Sequence, residues 1–183
     1  GLTKLEHDLK VLKNILETYP RDELFQTNVD KLYDTAIGIL QIQERPIIRL
    51  FVRRDPYGRF FSCLVYVPRE IYTTRIRIKV TEILKSAFGA ISEPQFTTSF
   101  SESILASIHF IIPVENAEAI KYDVKEIESD LYQATRSWED NLKEALLSEF
   151  GEAEGKRLIQ RYAERFPAGY QDESITQTGV LDI

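Results

Sequence analysis

The chain has a single cysteine, Cys63, and only two histidines, His7 and His109. One cysteine cannot form a disulfide within the chain, which excludes a small fold held together by internal disulfides. The two histidines lie far apart in sequence, and neither has a cysteine or an acidic cluster at ligand spacing. Because zinc sites and histidine-dependent nucleophiles need such clusters, we predict no metal ligand and no catalytic residue in this chain.

Glycine is also scarce, and none of the eight glycines belongs to a Gly-x-Gly-x-x-Gly pattern after a predicted strand. That pattern lets the backbone approach a pyrophosphate closely, so its absence predicts that no dinucleotide cofactor binds here. Methionine is missing altogether. The chain therefore cannot begin at its own initiator residue, and we expect it to be a segment of a longer protein.

Long apolar runs and an excess of positive charge are both missing. No apolar stretch approaches the roughly 20 residues that span a bilayer, and no signal peptide precedes the first helix, so we expect no membrane partner. The formal net charge of -6 and the pI near 5.1 argue against a nucleic-acid partner, because phosphate binding requires a basic face. The single thiol and the missing export signal together predict a cytoplasmic protein.

The most informative segment that is present is a predicted β-hairpin. Residues 55–58 (Asp-Pro-Tyr-Gly) match the four positions of a type I turn, with a short acceptor first, proline second and glycine last. We expect the last of these, Gly58, to have a positive φ. The residues on both sides are β-branched or aromatic, which indicates strands at 47–53 and 59–67.

The hairpin sequence 51–70 (FVRRDPYGRFFSCLVYVPRE) resembles a segment of the large bacterial NAD-specific glutamate dehydrogenases, in the non-catalytic region that precedes the dehydrogenase domain. Residues 134–140 (ATRSWED) and 165–170 (RFPAGY) resemble the same region in the same order. The resemblance implies ACT-like regulatory modules in this chain. It also implies a parent enzyme that converts L-glutamate and NAD to 2-oxoglutarate, ammonia and NADH in another part of its sequence.

The same resemblance implies which partners and cofactors to expect. NAD would bind to the catalytic part of the parent enzyme, and no cofactor would bind to this chain. The chain itself would contact other domains and subunits of the parent. ACT modules as a family also pair their sheets and bind amino acids at the resulting interfaces, so an amino acid is a candidate effector.

The order of the predicted elements defines the fold class. A second strand pair is predicted near 92–99 and 104–112, and each strand pair is followed by a helix. The first of these helices begins at Thr73 or Thr74 and ends at Gly89. The order ββαββα predicts an α+β sandwich of ferredoxin-like or ACT-like type, with a four-stranded antiparallel sheet and two helices on one face.

Amphipathic helices flank this sandwich. Residues 2–19 and 28–43 carry apolar side chains at three- and four-residue spacing. The same spacing predicts a long helix that ends at Phe150 and a last helix at 152–165. We therefore predict a helical segment at 1–45, an ACT-like α+β domain at 46–150, and a C-terminal helix with a linker at 151–183.

Four arginines, Arg53, Arg54, Arg59 and Arg69, are the candidate contacts to a partner or ligand. They lie around the predicted hairpin, where planar guanidinium groups suit a carboxylate, a phosphate or the acidic surface of a neighbouring subunit. The alternative is purely structural. In that case the arginines pair with nearby acids such as Asp55 and Glu70.

The second face of the predicted sheet, opposite the two helices, is more apolar than a face that meets water. It carries Phe60, Leu64, Tyr66, Leu105 and Ile111. Left open, these side chains would form an apolar patch of roughly several hundred Å², more than monomers usually expose. We expect the flanking helices to cover part of this candidate interface and a partner domain or second copy to cover the rest.

These observations favour a regulatory and assembly module of a glutamate dehydrogenase that performs no chemistry itself. A free-standing ACT-like domain that senses an amino acid is the alternative. An RRM-like RNA-binding module shares the element order and the aromatic residues on the second predicted strand. Its RNP1 motif, however, needs glycines where this chain has Phe60 and Ser62, and the acidic pI opposes RNA binding.

Overall fold

The computed structural model describes residues 2–42, 45–101, 103–136 and 138–162. The chain forms two compact units, Gly1–Ala134 and Thr135–Ile183. The boundary between them lies inside the 46–150 segment that the sequence predicts as one domain. Each unit is described by itself.

The first unit contains a helical segment, a sheet and two further helices. Three helices come first, and the strands then alternate with helices in the order ββαββα. The elements are α1 (Leu2–Thr18), α2 (Arg21–Gln26), α3 (Val29–Ile42), β1 (Arg49–Arg54), β2 (Phe60–Pro68), α4 (Thr74–Phe88), β3 (Gln95–Phe100), β4 (Leu105–Pro113) and α5 (Val124–Thr135).

The four strands form one antiparallel sheet in the order β1-β2-β4-β3. Helices α4 and α5 pack on its first face, where Phe61 and Phe110 of the sheet and Phe88 of α4 are fully buried. The rings of Phe61 and Phe88 lie 4.5 Å apart between centroids. The predicted four-stranded α+β sandwich with two helices on one face is therefore confirmed.

The ends of α4 follow from local side-chain chemistry. The Thr73 hydroxyl accepts a hydrogen bond from the backbone N–H of Ile76 at 3.2 Å, which satisfies one of the free donors in the first turn. Gly89 has φ 63 and closes the helix in the left-handed conformation, where its N–H donates to the Lys85 carbonyl. Both ends were predicted from these two residue types.

Two helical segments differ from the predictions. Helix α2 was not predicted, because six residues are too few to show a helical period. The long helix predicted to end at Phe150 is two helices, since α5 ends at Thr135 and α6 begins at Trp138. In the second unit, α6 (Trp138–Tyr162) is interrupted at Gly151, which has φ 76, so the predicted stop there is confirmed. The predicted end at residue 165 lies outside the described residues.

The last residue of the hairpin turn, Gly58, has a backbone conformation that favours glycine. Gly58 has φ 71, as predicted, and its N–H donates to the Asp55 carbonyl at 3.0 Å. Because a β-branched side chain is strained at this φ, we expect Gly58→Val to lower the free energy of unfolding by about 1 to 2 kcal/mol. Gly58→Asn is the control, since asparagine tolerates the left-handed region. Urea denaturation checks this, and equal stability of the valine variant and the wild type would contradict it.

Candidate functional site

Helices α1 and α3 cover the β1–β2 half of the second face. Leu64 of β2 is 5% exposed and packs with Ile15 of α1 and with Ala36 and Ile39 of α3. Helix α3 approaches the sheet closely at Gly38, where a Cβ atom would lie 2.8 Å from the ring of Phe51. The helical segment and the sheet therefore share a second apolar core.

A buried ion pair joins α2 to the sheet beside this core. The Arg53 guanidinium on β1 donates two hydrogen bonds to the Glu23 carboxylate, from Nε to Oε2 at 2.7 Å and from Nη2 to Oε1 at 2.6 Å. It also donates to Oε1 of Gln26 at 3.0 Å. The two charged side chains are 10% and 6% exposed, so this pair is shielded from water. Its two-bond geometry is the strong form of a carboxylate–guanidinium contact.

His109 and Ser62 extend the same network across the sheet. The Ser62 hydroxyl and Nε2 of His109 are 2.8 Å apart, and Oε1 of Glu23 lies 3.7 Å from that same nitrogen. In a serine–histidine–acid triad, the serine and the acid contact opposite ring nitrogens. Here both contact one nitrogen, and Ser62 is buried. This geometry therefore does not activate Ser62 as a nucleophile. We interpret the contacts among Ser62, His109 and Glu23 as a structural network.

The network sets the protonation of its members. Burial alone would raise the pKa of Glu23, but hydrogen bonds with Arg53, His109 and Ser62 outweigh burial and lower that pKa to about 2. Burial and the nearby Glu23 charge raise the pKa of Tyr19 to about 12. Burial also raises the pKa of the Cys63 thiol, which is enclosed in the first core. Glu23 is therefore ionised at neutral pH, and Cys63 remains a neutral thiol.

The four predicted arginines are not gathered at one point. Arg53 pairs with Glu23, and Arg59 pairs with Asp55, from Nε to Oδ2 at 2.9 Å. Arg54 is exposed beside the ring of Phe61, with its guanidinium carbon 5.9 Å from the centroid. Arg69 follows β2 at the opposite end from the turn, where Nη1 donates to the Ser101 carbonyl at 3.1 Å. Strand β2 therefore separates Arg69 from the other three.

The five candidate interface residues are also distributed unevenly. Leu64 lies in the second core, and Tyr66 packs against that core with its ring at right angles to the Phe51 ring. Leu105 is buried, whereas Phe60 and Ile111 are half-buried. The helical segment thus takes the place of a partner at Leu64 and Tyr66. This replaces the expectation that these two side chains are available to another subunit.

Polar side chains occupy the middle of the β3–β4 half of the second face. A cleft of about 220 Å³ lies here, between the sheet and the segment where α1 ends and α2 begins. Hydroxyl groups and one histidine line its sheet side, and a charge of each sign lies on its helical side. The lining residues are Thr18, Pro20, Arg21, Asp22, Leu64, Thr97, Ser99, Ser107 and His109.

A second cleft of about 670 Å³ lies on the other side of the network, against β1. It is lined by Glu23 and Arg53 among others. Among the described residues, no group of three or more histidine, cysteine or acidic side chains is placed to hold a metal ion. None of the described helices is long and apolar enough to cross a membrane.

Three family models match this chain in succession. Residues 1–45 match helical motif 1 of glutamate dehydrogenase, residues 49–139 match its ACT2 domain, and residues 145–183 match its helical motif 2. The chain belongs to the glutamate dehydrogenase family that these three models describe. The boundaries agree with the fold, because helical motif 1 contains α1 to α3 and the ACT2 domain contains the whole sheet.

Curated relatives agree with the family models. The chain is 42% identical to the NAD-specific glutamate dehydrogenase of Pseudomonas aeruginosa and 40% identical to that of Halomonas elongata, in both cases over all of its 183 residues. It is 31% identical to the Mycobacterium tuberculosis protein of the same name, over 97% of the chain. The chain spans only 11%, 11% and 12% of the lengths of these three relatives.

The buried network connects two segments that have separate family models. Glu23 belongs to helical motif 1, whereas Arg53, Ser62 and His109 belong to the ACT2 domain. The network and the core around Leu64 therefore join two segments that the family models treat separately.

Proposed function

We propose that this chain is a regulatory and assembly module of a large NAD-specific glutamate dehydrogenase and takes no part in the chemistry. The parent enzyme would oxidise L-glutamate with NAD to 2-oxoglutarate, ammonia and NADH in the cytoplasm. One observation carries the proposal: helical motif 1 is held on the ACT2 sheet by a second apolar core and a buried ion pair. We call this contact between helical motif 1 and the ACT2 sheet the joint. It would make the module rigid enough to position other domains and subunits.

The polar side chains that could otherwise take part in chemistry are bonded to one another in the joint. Glu23 and Arg53 neutralise each other, and His109 bonds to the buried Ser62. Mutually paired charges of this kind fix geometry and leave little capacity for proton transfer to a substrate. This supports a non-catalytic role.

The 220 Å³ cleft is the feature that best fits an amino-acid effector. Arg21 and Asp22 supply one charge of each sign, as a zwitterion requires, and Thr97, Ser99 and Ser107 supply hydroxyl groups. We propose that an effector bound here would contact helical motif 1 and the ACT2 sheet at once. It would thereby change how firmly the two are joined.

The intact parent enzyme tests the role of the module. We expect Arg53→Met to reduce the assembled fraction in sedimentation, because it weakens the joint, while the assembled molecules keep the wild-type KM for NAD and for glutamate. Lys13→Met, which removes an exposed pair with Glu17 on α1, is the control and should leave assembly unchanged. Wild-type assembly of the Arg53 variant would contradict the assembly role that we propose for this module.

The isolated chain gives a second test. We expect it neither to bind NAD measurably nor to oxidise glutamate, since it has no Gly-x-Gly-x-x-Gly loop to approach a pyrophosphate. Titration calorimetry with NAD measures the first property, and the intact enzyme serves as the positive control. An NAD affinity in the micromolar range would show that a nucleotide site lies in this segment.

A further inference from the structure

The two edges of the ACT2 sheet differ. At the β1 edge, Glu128 of α5 accepts a hydrogen bond from the backbone N–H of Leu50 at 2.8 Å. Its Oε2 atom lies 3.5 Å from Nη1 of Arg49. A side chain thus occupies a position where another strand would pair. At the β3 edge, within the described part of the chain, the only pairing partner is β4 on the inner side. The outer backbone groups of β3 are therefore available to a further strand.

The sequence of strand β3 lacks the residues that usually protect an open edge. Its sequence, QFTTSF, contains no charged residue and no proline, and its side chains are exposed or half-buried. Natural edge strands are commonly protected by lysine, proline, a bulge or a covering element, because an unprotected edge pairs with other chains. An uncharged, exposed edge in a chain that is 28% charged indicates that this edge has a partner.

Two arginines flank this edge on the side of α4. The Arg77 guanidinium lies 4.1 Å from the ring centroid of Phe96, and the Arg69 guanidinium lies 5.5 Å from that of Phe100. The two phenylalanines are 45% and 52% exposed. Neither arginine pairs with a carboxylate among the described residues. Both positive charges are therefore available to an anionic partner.

The spacing of the two arginines along β3 defines where acidic residues of an added strand would have to lie. Phe96 and Phe100 are four residues apart on one face of β3, which corresponds to about 13 Å along a strand. Between them, the Tyr72 hydroxyl hydrogen-bonds to the Thr98 hydroxyl at 2.9 Å and anchors the middle of the strand. An added strand with acidic residues at positions i and i+4 would place one carboxylate near each guanidinium.

We propose that the β3 edge binds an extended acidic segment as a fifth strand of the sheet. Backbone hydrogen bonds would supply the pairing, and the two carboxylates would reach Arg77 and Arg69. The rings of Phe96 and Phe100 would be covered by the added side chains. The partner is thus a β-strand with two acidic residues separated by three uncharged ones.

A second copy of this chain fits the edge less well. An antiparallel pair of β3 strands that keeps both helix layers on one face, centred on Thr98, places Phe96 opposite Phe100 of the other copy. Arg77 would then lie beside Arg69 of that copy, and like charges across a strand pair are destabilising. The charge pattern therefore favours an acidic partner over self-pairing.

A labelled peptide tests the proposal with the full 183-residue chain. The probe alternates threonine and valine, with glutamate at its third and seventh positions, and the control peptide has lysine at both. Fluorescence anisotropy should show binding of the acidic peptide about tenfold tighter than the lysine peptide, weakening with added salt. Arg77→Gln and Arg69→Gln should each weaken binding, whereas Arg59→Gln, on the distant hairpin turn, should not.

Two further measurements separate strand pairing from simple charge attraction. A version of the acidic peptide with N-methylated backbone amides should lose binding, and hydrogen exchange of the β3 amides should slow only with the unmodified peptide. Equal binding of the two charge variants, or undiminished binding of the N-methylated peptide, would overturn the proposal. Sedimentation that shows a dimer disrupted by Thr98→Lys would assign the edge to a second copy instead.

Discussion

Arg53→Met is expected to lower the free energy of unfolding by about 3 to 5 kcal/mol, because it leaves the buried Glu23 carboxylate without its main partner. The Glu23 side chain is 6% exposed, so little water reaches its carboxylate to replace the lost hydrogen bonds. Adding Glu23→Leu to this variant removes the unpaired charge and should recover most of the loss. Lys13→Met, which removes the exposed pair with Glu17, is the surface control and should change stability by less than about 1 kcal/mol. Urea denaturation of the four proteins measures all of these values.

A small effect of Arg53→Met would contradict this prediction. A loss below about 1 kcal/mol for Arg53→Met, with no recovery in the double variant, would mean that the Glu23–Arg53 pair carries no net stability. Helical motif 1 would then depend on the apolar core alone.

The pH dependence of stability gives an independent measurement of the same pair. The pKa of Glu23 in the folded protein is about 2, against an ordinary value of 4.5. A lowered folded-state pKa means that the carboxylate stabilises the fold above pH 4.5 and that this stability is lost as the pH falls towards 2. The contribution is at most on the order of 3 kcal/mol. In Glu23→Gln, this part of the acid-induced loss of stability should be missing.

Leu64→Lys is expected to destabilise the fold by about 3 to 4 kcal/mol, since it places an ammonium group in the core between the sheet and helices α1 and α3. The matched control is Thr97→Lys. Thr97 lies in the same cross-strand row as Leu64, with His109 between them, but it is exposed at the β3 edge. That variant should change stability by less than about 0.5 kcal/mol.

The outcome for Leu64 also separates two explanations of the apolar second face. If this face were an open interface, lysine at residue 64 would impair association and leave the stability of the single chain unchanged. Thermal unfolding at low protein concentration distinguishes the two cases, because only loss of the internal core lowers the transition temperature of the monomer.

Much of the fold could be predicted because its signals are local. The turn at residues 55–58 requires a glycine at its end, and Gly58 has the expected φ of 71. Thr73 and Gly89 end α4 through bonds to residues within one or two turns of themselves. The four-stranded antiparallel sheet with two helices on one face followed from the ββαββα order of the elements, since short connections leave few alternatives.

The joint between the helical segment and the sheet could not be predicted in the same way. Glu23 and Arg53 are 30 residues apart, and nothing in either local sequence identifies the other as its partner. A weak signal was present: Ser62, Ser107 and His109 interrupt the apolar pattern of the second face, which indicates that part of one half of that face is polar. The sequence predicted that the flanking helices would cover part of the face but not which half.

The family assignment and the geometry address different questions. The family models divide the chain into helical motif 1, the ACT2 domain and helical motif 2. The structure adds that the first two share a core and a buried ion pair. A regulatory or assembly role depends on this joint, because a loosely attached helical segment would not transmit a change from one domain to the next.

Hydrogen exchange of the full chain tests most directly whether helical motif 1 and the ACT2 sheet unfold as one unit. The amides of α3 and β4 should exchange with the same free energy of opening, equal to the free energy of global unfolding. Arg53→Met should lower both values by the same amount. Rapid exchange in α3 beside full protection in β4, in the wild-type chain, would contradict the account and show that the helical segment opens independently of the sheet.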